Sequence, residues 1–115
     1  MRVKLLAAGL MLGCLPSAAV AAPVYLKCKI EQSDGPLDVN FVLDEAVPRV
    51  AVVVPKTGAV DQDRGTFLAD RVLIKTDVAA YEISRTSLAV IRTIPMIKAV
   101  DRGTCKVEEL PKRAF

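Results

Sequence analysis

The sequence predicts an all-β domain: a small antiparallel sheet of six or seven strands, mostly a meander, curled into a barrel-like or small sandwich fold behind a cleaved signal peptide. Three observations carry that expectation. Apolar residues recur at a period of two along much of the chain after residue 22, the period of strands with one dry and one wet face. No stretch there repeats apolar residues at i, i+3, i+4 and i+7 over three turns, and β-branched residues dominate. Turn-forming residues punctuate the chain at short intervals, as hairpins require.

The first residues read as a leader. Met1-Arg2-Val3-Lys4 is basic, residues 5–15 form an apolar run, and Ala18-Ala19-Val20-Ala21 supplies small residues. That order is the layout of a secretory signal peptide, and the apolar run is short of the roughly 20 residues that a membrane-crossing helix needs. Ala19-Val20-Ala21 fits small-x-small cleavage, and Pro23 disfavours a cut after Ala22. Residues 1–21 are therefore assigned to the leader and 22–115 to a single β-domain with no transmembrane segment. Met11-Leu12-Gly13-Cys14 offers a second route, because it is similar to a bacterial lipobox whose cysteine carries the lipid anchor. Either route predicts export, to the periplasm or out of the cell.

Processing also resolves the charge and the cysteines. The full chain has 16 basic and 13 acidic residues, a net +3. Arg2 and Lys4 leave with the leader, so the domain is nearly neutral with interleaved signs. Nucleic acid, which needs a basic stripe, is not an expected partner. Cys28 and Cys105 remain near the two ends of the domain. In an exported chain such a pair predicts a disulfide, worth roughly 4–5 kcal/mol at most by chain entropy over so long a loop. The alternative is two buried free thiols.

Val24, Leu26, Cys28 and Ile30 alternate with Tyr25, Lys27, Lys29 and Glu31, a strand with Cys28 facing inward. Ser33-Asp34-Gly35-Pro36 is a turn, and Leu37, Val39, Phe41 and Leu43 form the inner face of the next strand. After Glu45–Pro48, the run Arg49–Val54 is apolar on both faces, which predicts a strand covered on both sides or an edge that adds to a partner sheet. Pro55–Gly65 is the longest polar stretch of the domain. It predicts a surface loop and, through Lys56, Asp61, Asp63 and Arg64, a contact surface.

Thr66–Thr76 resumes apolar character, with a bend at Ala69-Asp70-Arg71, and Asp77–Ala79 turns the chain. Tyr81–Arg92 is the clearest hairpin, folded around Arg85-Thr86-Ser87 with Tyr81, Ile83, Leu88 and Val90 on the dry face. Asp101-Arg102-Gly103 predicts another turn, Thr104–Leu110 the last strand with Cys105 and Val107 inward, and Pro111–Phe115 a tail.

The residue inventory excludes most chemistry. With no histidine, Ser-His and Cys-His activation are gone, along with the commonest metal ligand. No phosphate-binding or dinucleotide-binding glycine pattern occurs, nor a Ser-x-x-Lys or Gly-x-Ser-x-Gly nucleophile motif. Asp61-x-Asp63-x-Gly65 has part of a calcium loop but lacks its third acidic ligand and distal Glu, and a zinc site would need the cysteines that form the bridge. No cofactor, metal or catalytic residue is assigned. Arg85 stands out at its hairpin turn. Its stem covers apolar surface while its guanidinium bonds a carboxylate such as Asp44 or Glu82, or it meets a partner.

Cys28, Leu43-Asp44-Glu45, the run Ile83-Ser84-Arg85-Thr86-Ser87-Leu88 and Gly103-Thr104-Cys105 together resemble motifs of small exported bacterial β-proteins of uncharacterised function. The resemblance implies a compact β fold and export, and brings no activity with it. In size, address and terminal bridge the chain is also similar to periplasmic lysozyme inhibitors, although it lacks tryptophan and their Ser-Gly-rich inhibitory loop. The sequence therefore predicts a non-catalytic exported domain that binds an unknown protein or envelope ligand. Its alternative is an inhibitor of an extracytoplasmic hydrolase such as lysozyme.

Overall fold

The structure is a computed structural model that describes residues 22–109. The leader, Cys14 and the tail from Leu110 lie outside the described residues. Eight antiparallel strands close into a barrel in simple sequence order: β1 (Val24–Gln32), β2 (Gly35–Asp44), β3 (Arg49–Val54), β4 (Ala59–Phe67), β5 (Arg71–Lys75), β6 (Ala80–Ser84), β7 (Ala89–Ile94) and β8 (Ala99–Glu108). The all-β barrel expectation holds, with eight strands where alternation alone predicts six or seven.

The additional strand comes from the stretch read as a contact loop. Only Pro55–Gly58 turns the chain, with the Gly58 N–H donating to the Val54 carbonyl at 2.9 Å. Gly58 has φ +75°, a left-handed conformation open to glycine. Ala59–Arg64 then pairs with β3, and polar composition concealed the strand because these six of its nine residues have one neighbour only. Gly65–Phe67 pairs with β5, and the Gly65 N–H also donates to the Pro48 carbonyl at 3.0 Å, whereas Ala59–Arg64 pairs with β3 alone. The Val50–Val54 run is no edge, since β3 is bonded to β2 and β4. Two further turns prove to be strand: Gly35 and Pro36 open β2, and Asp101–Gly103 lies within β8.

One dry face fills the interior. Leu26, Cys28 and Ile30 of β1 meet Val39, Phe41 and Leu43 of β2, and Val50, Val52, Val72, Ile74, Ile83 and Val90 complete the core. Phe41 and Tyr81 pack edge to face with ring centroids 5.1 Å apart, the geometry that ring quadrupoles favour. Lys27, Lys29, Lys106 and Arg64 face outward and are exposed. Among the described residues no helix is long and apolar enough to cross a membrane.

Closure joins the first strand to the last. Seven register pairs link β1 to β8, and Cys28 and Cys105 are one of them, bonded to each other as the sequence predicts. At Gly103, opposite Ile30, a Cβ would overlap the Lys29 carbonyl oxygen and the Ile30 Cα. The seam therefore needs glycine there.

Candidate binding site at the barrel mouth

Simple up-and-down order sends alternate connections to opposite ends of the barrel. The start of β1, the β2–β3, β4–β5 and β6–β7 connections and the end of β8 share one end. There the inner rows stop short of filling the barrel, leaving a cavity of about 320 Å³. Buried Leu26, Leu43, Val72 and Ile83 form its floor. Val24, Phe67, Leu88 and Val107 form its walls, and Val107, inward by register, is 58% exposed because it stands at the opening.

Arg85 straps the rim. Its Nη2 donates to Glu45 Oε1 at 2.9 Å, and its Nη1 donates to Glu45 Oε2 at 3.4 Å and to the Leu68 carbonyl at 2.8 Å. One guanidinium thus ties the β6–β7 turn to the β2–β3 and β4–β5 turns. The Arg85 N–H adds a bond to the Asp70 carbonyl at 2.8 Å. The partner differs from the two carboxylates the sequence offered: Asp44 faces Arg49 in the ladder, and Glu82 takes Arg71 at 3.2 Å. The Arg85 guanidinium holds the Glu45 carboxyl below its ordinary value of 4.5, and Glu45 in turn raises Arg85.

Local chemistry sets the turn that carries Arg85. Ser84 Oγ accepts the Thr86 N–H at 3.3 Å and the Ser87 N–H at 3.1 Å, while Ser87 Oγ accepts the Ala89 N–H at 3.2 Å. Leu88 sits at φ +63°, a costly conformation for a branched residue. Bonds at both of its peptide groups hold it there, Leu88 N–H to the Ser84 carbonyl and Cys105 N–H to the Leu88 carbonyl. The bend delivers the Leu88 side chain to the mouth.

The other residues singled out in the sequence do not join Arg85. Lys56 is exposed in the β3–β4 turn at the opposite end, and Arg64 faces Arg49 on the outer surface. Asp61 and Asp63 share the inner row with Val52 and Val50, opposite them in register. On a half-paired strand such inward carboxylates oppose the addition of a further strand. Among the described residues, no salt bridge reaches Lys56, Asp61, Asp63 or Arg64. Nor do any three His, Cys, Asp or Glu side chains there gather as a metal site.

Sequence reasoning missed Arg92, which is 7% exposed and points into the barrel. Its Nη2 donates to Asp101 Oδ2 at 3.0 Å, and its Nε is buried without a protein partner. Burial raises the neighbouring Tyr81 phenol above its ordinary 10.0, with Arg92 acting in the opposite sense. The signal was parity: Arg92 continues the inward series Leu88, Val90. The mouth itself was not foreseen, because it depends on closure.

No protein-family model, curated protein or solved structure matches this chain.

Proposed function

We propose that this protein is an exported, non-catalytic binding domain, periplasmic or secreted, whose barrel mouth takes a small apolar group. The observation that carries the reading is the cavity of about 320 Å³, floored by buried aliphatic side chains and rimmed by the Arg85–Glu45 pair. Ligand sites are mostly apolar hollows with few polar groups, and barrel mouths are a common place for them. About 320 Å³ is at the small end of the range, room for a short alkyl or aryl moiety rather than a whole lipid. The Cys28–Cys105 bridge supports an oxidising address, since such bonds persist outside the cytosol.

The hydrolase-inhibitor reading needs a projecting loop that enters a cleft. The connections between the described strands are tight turns, among them Pro55–Gly58 and Arg85–Leu88, so the binding reading is preferred. An amide NMR titration of the oxidised protein with 1-octanol tests it. Saturable shifts at Leu26, Leu43, Ile83 and Leu88 are expected. Shifts scattered over the surface, or none, would overturn it.

A further inference from the structure

We propose that the occupant of the mouth is a second copy of this chain, whose Met96 enters from the far end of its own barrel, so that copies associate head to tail. The inference rests on the mouth being an apolar binding site. Two features that nothing within one molecule explains then account for each other. One is the open cavity of about 320 Å³. The other is the β7–β8 connection, where Met96 is 90% exposed and Ile97 67%, the two most exposed large apolar residues among those described. Apolar residues scattered singly over a surface are ordinary, whereas a turn that leads with two adjacent ones marks a contact surface.

The tip is preformed. Pro95–Ile97 is a 3-10 turn in which no residue is buried, and the Lys98 N–H closes it on the Pro95 carbonyl at 3.1 Å. Lys98 takes φ +54°, the left-handed conformation that leads the chain into β8. A tip already held in shape loses little freedom on docking. The Met96 side chain suits the hole, because an unbranched, polarisable thioether adapts to irregular apolar hollows. Leu26, Leu43, Val72 and Ile83 supply the floor it would meet.

Strand order decides the kind of assembly. Successive up-and-down connections put the β7–β8 turn and the mouth at opposite ends of one barrel. Tip and mouth are different patches, so the contact is heterologous and each added copy offers a free tip and a free mouth. One tip in one mouth is far smaller than a standard interface of about 1,600 Å², so the association is weak and reversible.

Charge at the two patches sets the orientation. Glu108 and Glu109 follow Val107 at the opening, and among the described residues no salt bridge reaches either. The arginines of that end are engaged: Arg85 by Glu45, Arg71 by Glu82, and Arg49 opposite Asp44. Lys98 directly follows the tip and has no salt bridge, so docking brings it to this acidic edge. Asp34 and Asp77 in the turns beside the tip offset Lys75 and Lys98, so charge gives register more than affinity.

The test is sedimentation velocity of the oxidised protein from about 0.02 to about 1 mM, the range for so small a contact. The sedimentation coefficient should rise with concentration, and 1-octanol should return it to the monomer value. Met96→Asp, changed at an exposed position, should stay monomeric and bind octanol as the parent does. Val107→Arg, with its mouth blocked, should also stay monomeric. Mixing the two variants pairs the tip of Val107→Arg with the open mouth of Met96→Asp. A one-to-one complex should form, within about threefold of the parent's affinity. A parent that binds octanol but stays monomeric overturns this inference alone and leaves the mouth to another ligand. A parent that does neither overturns the mouth as a binding site as well. Association that survives Met96→Asp, or no complex in the mixture, would also overturn the head-to-tail contact.

Discussion

Arg85 and Glu45 lie forty residues apart in sequence and meet at the rim of the barrel, with Arg85 Nη2 2.9 Å from Glu45 Oε1. Because the same guanidinium also bonds the Leu68 carbonyl, this contact joins three of the connections that surround the mouth.

The pair gives the acid side of the stability profile a specific origin. Glu45 titrates below its ordinary 4.5 through its hydrogen bond from Arg85. Its contribution is therefore present above the unfolded value and is lost as pH falls through the lower folded value. In Arg85→Ala, an NMR titration should find Glu45 back at its ordinary value. The melting temperature at pH 7 should fall by no more than about 5 °C, because the pair is half-exposed. An unmoved Glu45 titration would refute the assignment.

The Cys28–Cys105 bond closes a loop with a sequence separation of 77 on the seam that makes the sheet a barrel. Replacing both cysteines with alanine should cost up to about 4.5 kcal/mol in urea unfolding, chiefly through a freer unfolded chain. A loss under 1 kcal/mol would show that the β1–β8 ladder closes the barrel unaided.

Gly103→Ala attacks the same seam from the backbone. Its methyl group would overlap backbone atoms of Lys29 and Ile30, which no side-chain rotation relieves. A loss of about 3 kcal/mol or more is expected in the same assay. Gly58→Ala is the control in an open turn: nothing crowds its Cβ, so only left-handed backbone strain opposes it, a cost of about 1 kcal/mol.

Arg92 and Asp101 form an ion pair whose side chains are 8% and 19% exposed. Asp101→Ala strands a buried guanidinium and should cost about 3 kcal/mol. Adding Arg92→Met should recover most of that loss, since an apolar chain then fills the site with no charge to pair. If the double variant is as unstable as the single one, the destabilisation lies in Asp101 itself.

Much of this was legible in the chain because strand parity is a local property. Leu26, Cys28 and Ile30, or Tyr81 and Ile83, declare their inward face by alternation alone, and the expectation of an oxidising address paired the cysteines. Parity also reaches Arg92 and Asp101, but a charged residue reads as wet until its partner across the ladder is known. Ala59–Arg64 hid for a different reason. From Asp61 to Arg64 its outward and inward positions are both polar, as befits a half-paired strand, so it carries no alternation. The Arg85–Glu45 strap and the mouth depend on which turns share an end, and that follows only from closure in simple order.

The measurement that bears most directly on the binding role of the mouth is the 1-octanol titration, repeated on Val107→Arg. Val107 is exposed at the opening, so the variant keeps its fold while placing a long cation in the cavity. Saturable shifts at Leu26, Leu43 and Leu88 are expected in the parent, and their loss in the variant. Unchanged octanol binding by Val107→Arg, or none by the parent, would contradict the binding role of the mouth.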